Sequence, residues 1–289
     1  MRLSLVYLKG GLGNQLFQFA FANHIKSKRH KIIFCDEIYR YPKPENITKR
    51  DVIFPIKSFG FSNSNFFIEW VFNNVNKIFQ SERVKKIFKP KNNYLFNYIK
   101  DNDVDNFNKK SILTIYDGYW QELDFIKESK DYLIDSIKEN DIISNALKVD
   151  RPSGSTMVHV RRGDYLQLNQ ELNESYYIES INKLKKYVKD FNFDIYTDDI
   201  SWVKSSSIFN TASNIFSQKS VHEDRDQVIK TFSQMLSYEN YIIANSSFSY
   251  MAAHLGSSEN SKVLYPEPWF LNKNKNISVK KSWIAINSK

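Results

Sequence analysis

Seven consecutive residues, His159-Val160-Arg161-Arg162-Gly163-Asp164-Tyr165, set an imidazole, two guanidiniums and a carboxylate directly after an apolar run from Thr156 to Val160. Such a β-branched run is predicted as a buried strand, and the punctuation Arg151-Pro152-Ser153-Gly154-Ser155 marks its start. Arginine grips anions through a planar fork of donors that matches phosphate geometry. In open α/β sheets the crevice beyond the strand ends is where ligands sit. Alternation along a strand sends Arg161 and Arg162 to opposite sides and puts His159 on the side of Arg161. Arg161 with His159 is therefore the expected ligand pair, and Arg162 is expected to brace the loop against Asp164. Taken alone, a solvated basic turn explains the same residues.

Other stretches carry related chemistry. A strand over residues 3–8, the loop Gly10-Gly11-Leu12-Gly13-Asn14, a helix over 14–28 and a strand over 31–36 ending in Asp36 follow the outline of a dinucleotide fingerprint. Leu16 stands where the third glycine belongs, which weakens a nicotinamide-cofactor reading on Gly11, Gly13 and Asp36. The glycines still permit close backbone approach to a ligand, with Asn14 at a helix N-terminus. Asp198-Asp199 follows a strand over 193–197 and can read a purine edge such as guanine's, or bind a divalent metal. Asn245-Ser246-Ser247 leads into a helix and offers hydroxyls and free N–H groups to phosphate. Where arginine neutralises a leaving phosphate a metal is redundant, so the residues point to an arginine-assisted nucleoside diphosphate. No P-loop, nucleophile elbow or zinc-protease spacing is present.

These residues need a scaffold, and the rest of the sequence describes one. Strands alternate with helices, which predicts parallel sheets covered on both faces. Residues 65–79 and 85–99 are expected as short helices, 113–117 as a strand, and 122–147 as a helical stretch. The 289 residues suit one large or two ordinary domains, and 42% hydrophobic content supports a real core. The single Cys35 fits a reducing compartment. No apolar run reaches the ~20 residues of a membrane span, and the first residues read as a strand rather than a signal peptide. The net charge of +9 suits an anionic ligand, nucleic acid or acidic membrane, but scattered lysines without a nucleic-acid motif argue against nucleic acid.

Gly10-Gly-Leu-Gly-Asn-Gln-Leu-Phe-Gln18, Gly118-Tyr-Trp-Gln121, His159 to Tyr165, Tyr196-Thr-Asp-Asp199 and Ile243-Ala-Asn-Ser-Ser-Phe-Ser-Tyr250 together resemble the successive motifs of the bacterial α-1,2-fucosyltransferases. The likeness covers nearly the whole chain, least over 37–110. It implies a GT-B architecture with two Rossmann-like domains facing a cleft: an acceptor-side domain over 1–152 and a GDP-fucose-binding domain over 153–289, the last residues packing back on the first. It further implies metal-independent, inverting transfer from GDP-β-L-fucose to the 2-hydroxyl of a β-galactoside, by a cytosolic enzyme of surface-glycan synthesis, with peripheral contact at the anionic inner membrane. By the same resemblance Arg161 binds the β-phosphate; His159 with Asp198 or Asp199 holds guanine and ribose; Ser246, Ser247 and Phe248 hold the phosphates; and Asn14 reaches the donor across the cleft. Gln15, Trp120, Gln121, Glu122 and Asp124 are the acceptor-side candidates. Trp120 and Tyr250-Met251 stand where phenylalanine and tryptophans are expected.

Inversion needs an acceptor for the incoming hydroxyl's proton. Asp164 is the first candidate, with Glu122 and Asp124 behind it. The tripeptide Arg162-Gly163-Asp164 also reads as an adhesion motif, though it follows a buried strand. From sequence alone, Arg161→Ala is expected to abolish transfer and leave the fold intact, as assays of turnover and circular dichroism would check.

Overall fold

The computed structural model describes residues 2–26, 30–37, 51–80, 95–101, 111–217, 224–273 and 276–289. Its first sheet contains β1 (Arg2–Tyr7), β2 (His30–Cys35), β3 (Ser62–Asn63), β4 (Phe96–Lys100) and β5 (Leu113–Asp117), in the order β3-β2-β1-β5-β4. The second contains β6 (Ser155–Val160), β7 (Asn192–Thr197), β8 (Asn214–Ser217), β9 (Asn240–Ile242), β10 (Val263–Glu267) and β11 (Ile284–Asn287), in the order β11-β10-β9-β6-β7-β8. The pairings are parallel throughout the described residues. Parallel strands are covered on both faces and so read as continuous apolar runs. Accordingly all six positions of β6 are buried.

Around the first sheet lie α1 (Leu12–Ile25), α2 (Phe66–Gln80), α3 (Leu123–Ile126), α4 (Lys130–Ile137) and α5 (Asp141–Leu147). Around the second lie α6 (Gly163–Leu168), α7 (Glu174–Tyr187), α8 (Ile200–Ser205), α9 (Arg225–Met235) and α10 (Ser247–Gly256). The helical stretch over 122–147 is three helices, because Ser129 and Asn140 each start a new one; the Asn140 side chain accepts from the amides of Ile142 and Ile143. The helix expected over 85–99 is corrected at its end, where Phe96–Lys100 is strand β4; residues 85–94 lie outside the described set, as does the end of the helix expected to reach Lys28. Alternation is weak in Phe96-Asn97-Tyr98-Ile99, whose strand state comes from pairing with β5. Strand β11, not anticipated, pairs with β10 and keeps residues 284–287 with the second sheet.

Among the described strands each sheet has one place where the strand order reverses: between β1 and β5, and between β6 and β9. Ligands of open α/β sheets bind outside the carboxyl ends of such neighbouring strands. The two halves bring these places face to face. Helix α1 is buried on nearly every side, from Leu12 to Ala22, with Gln15 and Gln18 included. One side packs on its own sheet, as Phe21 does against Tyr116, and another packs on α10, where the Phe17 and Tyr250 rings lie 5.2 Å apart. A single apolar cluster therefore runs through both halves.

Gly13 is where that packing is tightest. A β-carbon there would lie 2.3–2.5 Å from the backbone of Ser247 and Phe248, so only glycine lets the first turns of α1 and α10 touch. That contact, rather than a dinucleotide pyrophosphate, accounts for the glycine. Gly13→Ala should therefore destabilise the chain by about 1–3 kcal/mol, the usual cost of overpacking, read as a lower urea midpoint. An unchanged midpoint would mean the helix ends separate without cost.

Candidate active site

The two reversal points open onto one cavity of about 1040 Å³. From the first half it is lined by Gly11, Leu12, Gly13 and Asn14 after β1, by Asp101 after β4, and by Tyr119 to Glu122 after β5. From the second it is lined by His159, Arg161, Asp164 and Tyr165 after β6, and by Asn245 to Phe248 after β9. Helices α1 and α10 both begin at this cavity, and the positive ends of two helix dipoles beside a guanidinium make it a place for an anion. The Ser246 side chain caps α10 on the Phe248 amide, and the Ser247 and Phe248 amides belong to its first turn.

Arg161 and Arg162 diverge as the strand alternation requires. The Arg161 guanidinium lies 2.7 Å from Asp164 and 2.9 Å from Asp198. Arg162 pairs with Asp199 at 3.2 Å, its guanidinium sits 4.3 Å from the centre of the Trp202 ring, and its backbone N–H donates to Asp198 at 2.7 Å. Arg162 thus braces the loop, but against Asp199; Asp164 belongs to Arg161. This corrects the expected pairing.

Asp198 and Asp199 do not line the cavity. The Asp198 side chain is wholly buried, one oxygen on Arg161 and the other on the Arg162 amide. Asp199 caps α8 through the Trp202 amide. Each fixes an arginine from outside the cavity lining, so the expectation that one of them reads guanine is corrected to a bracing position. Removing Arg161 would leave Asp198 buried without its countercharge, at about 3–5 kcal/mol, which overturns the expectation that Arg161→Ala leaves the fold untouched.

His159 is buried, and its Nδ1 has no hydrogen-bond partner among the described residues. Burial, reinforced by Arg161, holds its imidazole far below the ordinary value, at about 3, so it faces the cavity neutral.

On the opposite wall the Asn14 side-chain oxygen Oδ1 accepts from the Gln121 side-chain Nε2 at 2.7 Å, joining the segments after β1 and β5. Trp120 is buried, has a left-handed φ of 57° and stacks on Phe21 with ring centres 4.2 Å apart. Two acceptor-side expectations are corrected. Gln15 is buried with its amide on the carbonyls of Gly10 and Asp51 and its oxygen on the Ile53 amide, so it holds chain segments together. Asp124 points to solvent and pairs with Lys127. Sequence reasoning missed Asp101, whose carboxylate accepts the Tyr119 and Trp120 amides, because its strand was read as helix. It also missed Asp224, Gln227 and Thr231, which line the cavity from one face of α9; their i, i+3, i+7 spacing was a legible signal.

Two parallel α/β sheets facing one cleft between their reversal points form the GT-B architecture. The family model described as glycosyl transferase family 11 matches residues 3–287, and the chain belongs to that family. It is 28% identical to an alpha-1,2-colitosyltransferase of Escherichia coli over 93% of both chains. It is 24% identical to the O-antigen biosynthesis glycosyltransferase WbnK of Escherichia coli over 96% of this chain and 99% of that one. Among solved structures, a mutant of Arabidopsis thaliana FUT1 in complex with GDP aligns with a TM-score of 0.50 at 12% identity, covering 93% of this chain and 71% of that one. That likeness concerns the fold. Neither the family nor the site supports the oxidoreductase alternative.

His254, inside α10, is also fully buried and lowered to about 3 by burial and then by Lys280 and Lys130. Both imidazoles are neutral when folded and protonate near pH 6.5 when unfolded, so their stabilisation is present above about pH 6.5 and lost as pH falls towards 3. The urea midpoint should drop across that window, and His254→Gln should lessen the drop by up to a few kcal/mol. An unaltered pH dependence in a folded variant would remove His254 from that role.

Proposed function

We propose that the protein transfers L-fucose from GDP-β-L-fucose, with inversion, to the 2-hydroxyl of a terminal β-galactoside in surface-glycan or O-antigen synthesis. The observation that carries the reading is the Arg161 guanidinium, fixed by buried Asp198 where two helix N-termini converge. As the anomeric C–O bond breaks, negative charge builds on the departing diphosphate. Arg161 and the amides at the start of α10 are donors fixed in advance for that charge. Asp164, more exposed than Asp198, is the partner of Arg161 that a phosphate can displace. Neutral His159 offers a hydrogen bond to the donor, Asn14 approaches it from the other half, and Asp224 and Gln227 offer polar contacts to the base. The donor's charge is met by arginine and helix ends, so the reaction is proposed to need no metal.

The colitosyltransferase relative supports this donor class, since colitose is fucose lacking one hydroxyl. Gln121, Glu122 and Trp120 form the acceptor wall. Among the described residues no helix is long and apolar enough to cross a membrane. For a cytoplasmic enzyme, exposed Phe66, Phe67 and Trp70 on α2 supply a surface for peripheral contact with anionic lipid.

The test is transfer from GDP-fucose to a panel of β-galactosides with excess EDTA, following GDP release and the new anomeric proton. An α-linked product on the galactose 2-hydroxyl is expected; absence of GDP release and of GDP binding would overturn the reading. Arg161→Lys keeps the charge on Asp198 but loses the fork, so turnover should fall about 10²–10³-fold with the fold retained.

A further inference from the structure

We infer that Glu122 is the group that takes the proton from the acceptor hydroxyl, an assignment that rests on the transfer reading above. Among the described residues four carboxylates line the cavity: Asp101, Glu122, Asp164 and Asp224. Three of them have other work. Asp101 holds the Tyr119 and Trp120 amides at 2.8 and 2.9 Å, one on each oxygen. Asp164 lies beside the Arg161 guanidinium at 2.7 Å and stands on the second half, so once a phosphate displaces it, it adjoins the leaving diphosphate rather than the acceptor. Asp224 caps α9 on the Asp226 amide and stands on the second half, with the donor-side lining.

Glu122 is different in place and in company. It stands on the first half, immediately after the loop that follows β5 at the strand-order reversal. Its Oε2 accepts from the Ser278 hydroxyl at 2.8 Å, a neutral donor reaching over from the second half. The side chain is thus aimed from both sides of the cleft, with no cation paired to it among the described residues.

The backbone before Glu122 is built to hold that aim. Trp120 sits in the left-handed region, which a bulky side chain rarely adopts and which persists only where the surroundings enforce it. Here the enforcement is Asp101 on its amide and the stack on Phe21. The chain then returns to an extended conformation at Glu122, with φ −120° and ψ 136°. Strain of this kind clusters at sites where geometry matters for function.

The step balances as follows. The acceptor oxygen forms a bond to the anomeric carbon as the bond from that carbon to the diphosphate oxygen breaks. The electron pair of the broken bond leaves with the diphosphate, opposite Arg161. The hydroxyl proton moves to the Glu122 carboxylate and from there to solvent once the product departs.

The experiment compares wild type with Glu122→Gln, Glu122→Gly and Asp164→Gly, using GDP-fucose and the best β-galactoside of the panel. Because Glu122 is exposed, its substitution should leave folding and GDP affinity as they are. For Glu122→Gln, kcat should fall about 10²–10⁴-fold with KM for the donor within a few-fold of wild type. High concentrations of sodium formate should partly restore turnover to Glu122→Gly and leave wild type unaffected. The assignment is overturned if Glu122→Gln keeps kcat within a few-fold of wild type, or if formate rescues only an Asp164 variant. A wild-type chain that binds GDP yet transfers no sugar overturns the transfer reading and this assignment with it, a result distinct from active transfer by Glu122→Gln.

Discussion

The first turns of α1 and α10 touch backbone to backbone because residue 13 has no side chain. Everything at the site depends on that approach. It brings together the reversal points of two separate sheets, so that loops following β1, β5, β6 and β9 face one another across a single cavity. It also aligns two helix N-termini, an arrangement whose like partial charges are relieved by an anion between them. A larger residue at position 13 would separate the halves and move Asn14 and Gln121 away from Arg161. The apolar cluster running from α1 through Tyr250 to Trp269 supplies the adhesion that holds the approach in place.

The arginine pair shows how burial divides labour between similar residues. Arg161 and Arg162 are adjacent, yet one reaches the cavity and the other turns to the far side, against Asp199 and Trp202. Asp198 joins the two by accepting from the Arg162 backbone and pairing with the Arg161 side chain. A carboxylate so engaged fixes the guanidinium before a ligand arrives, and a donor already oriented does not have to reorganise when charge develops. Asp164 sits on the same guanidinium from the more exposed side. The two carboxylates on Arg161 are thus unequal: one is built into the core, the other is within reach of exchange.

The first-half wall of the cavity is made by different means. Two arrangements hold the turn over 118–122: the Asp101 carboxylate on consecutive amides, and the indole of Trp120 stacked beneath it on Phe21. Gln18, buried in α1, adds a third by donating to the Gly118 carbonyl. The turn between strand β5 and helix α3 is therefore well anchored, though it lacks regular structure.

What the sequence determined by itself was local. The apolar runs of Ser155–Val160 and the other core strands, the periodicity of α1 and α7, the glycine loop and the cap at Ser246 follow from side-chain alternation, helical spacing and turn chemistry within a few residues. So does the place of Arg161 at a strand end, and with it the expectation of an anion site. The family likeness in the motifs extended that to a two-domain architecture. Tertiary structure decided the rest, because the deciding partners are remote along the chain. Asp198 and Asp199 read as free acids until arginines 37 residues away neutralise them. Gln15 is a helix surface residue until Asp51 and Ile53 close over it. The strand at Phe96–Lys100 exists through its pairing with β5, and Glu122 meets Ser278 only because two sheets far apart in sequence face one cleft. Pattern encodes which faces are apolar; which polar groups remain for chemistry is set by the contacts that burial leaves unmade.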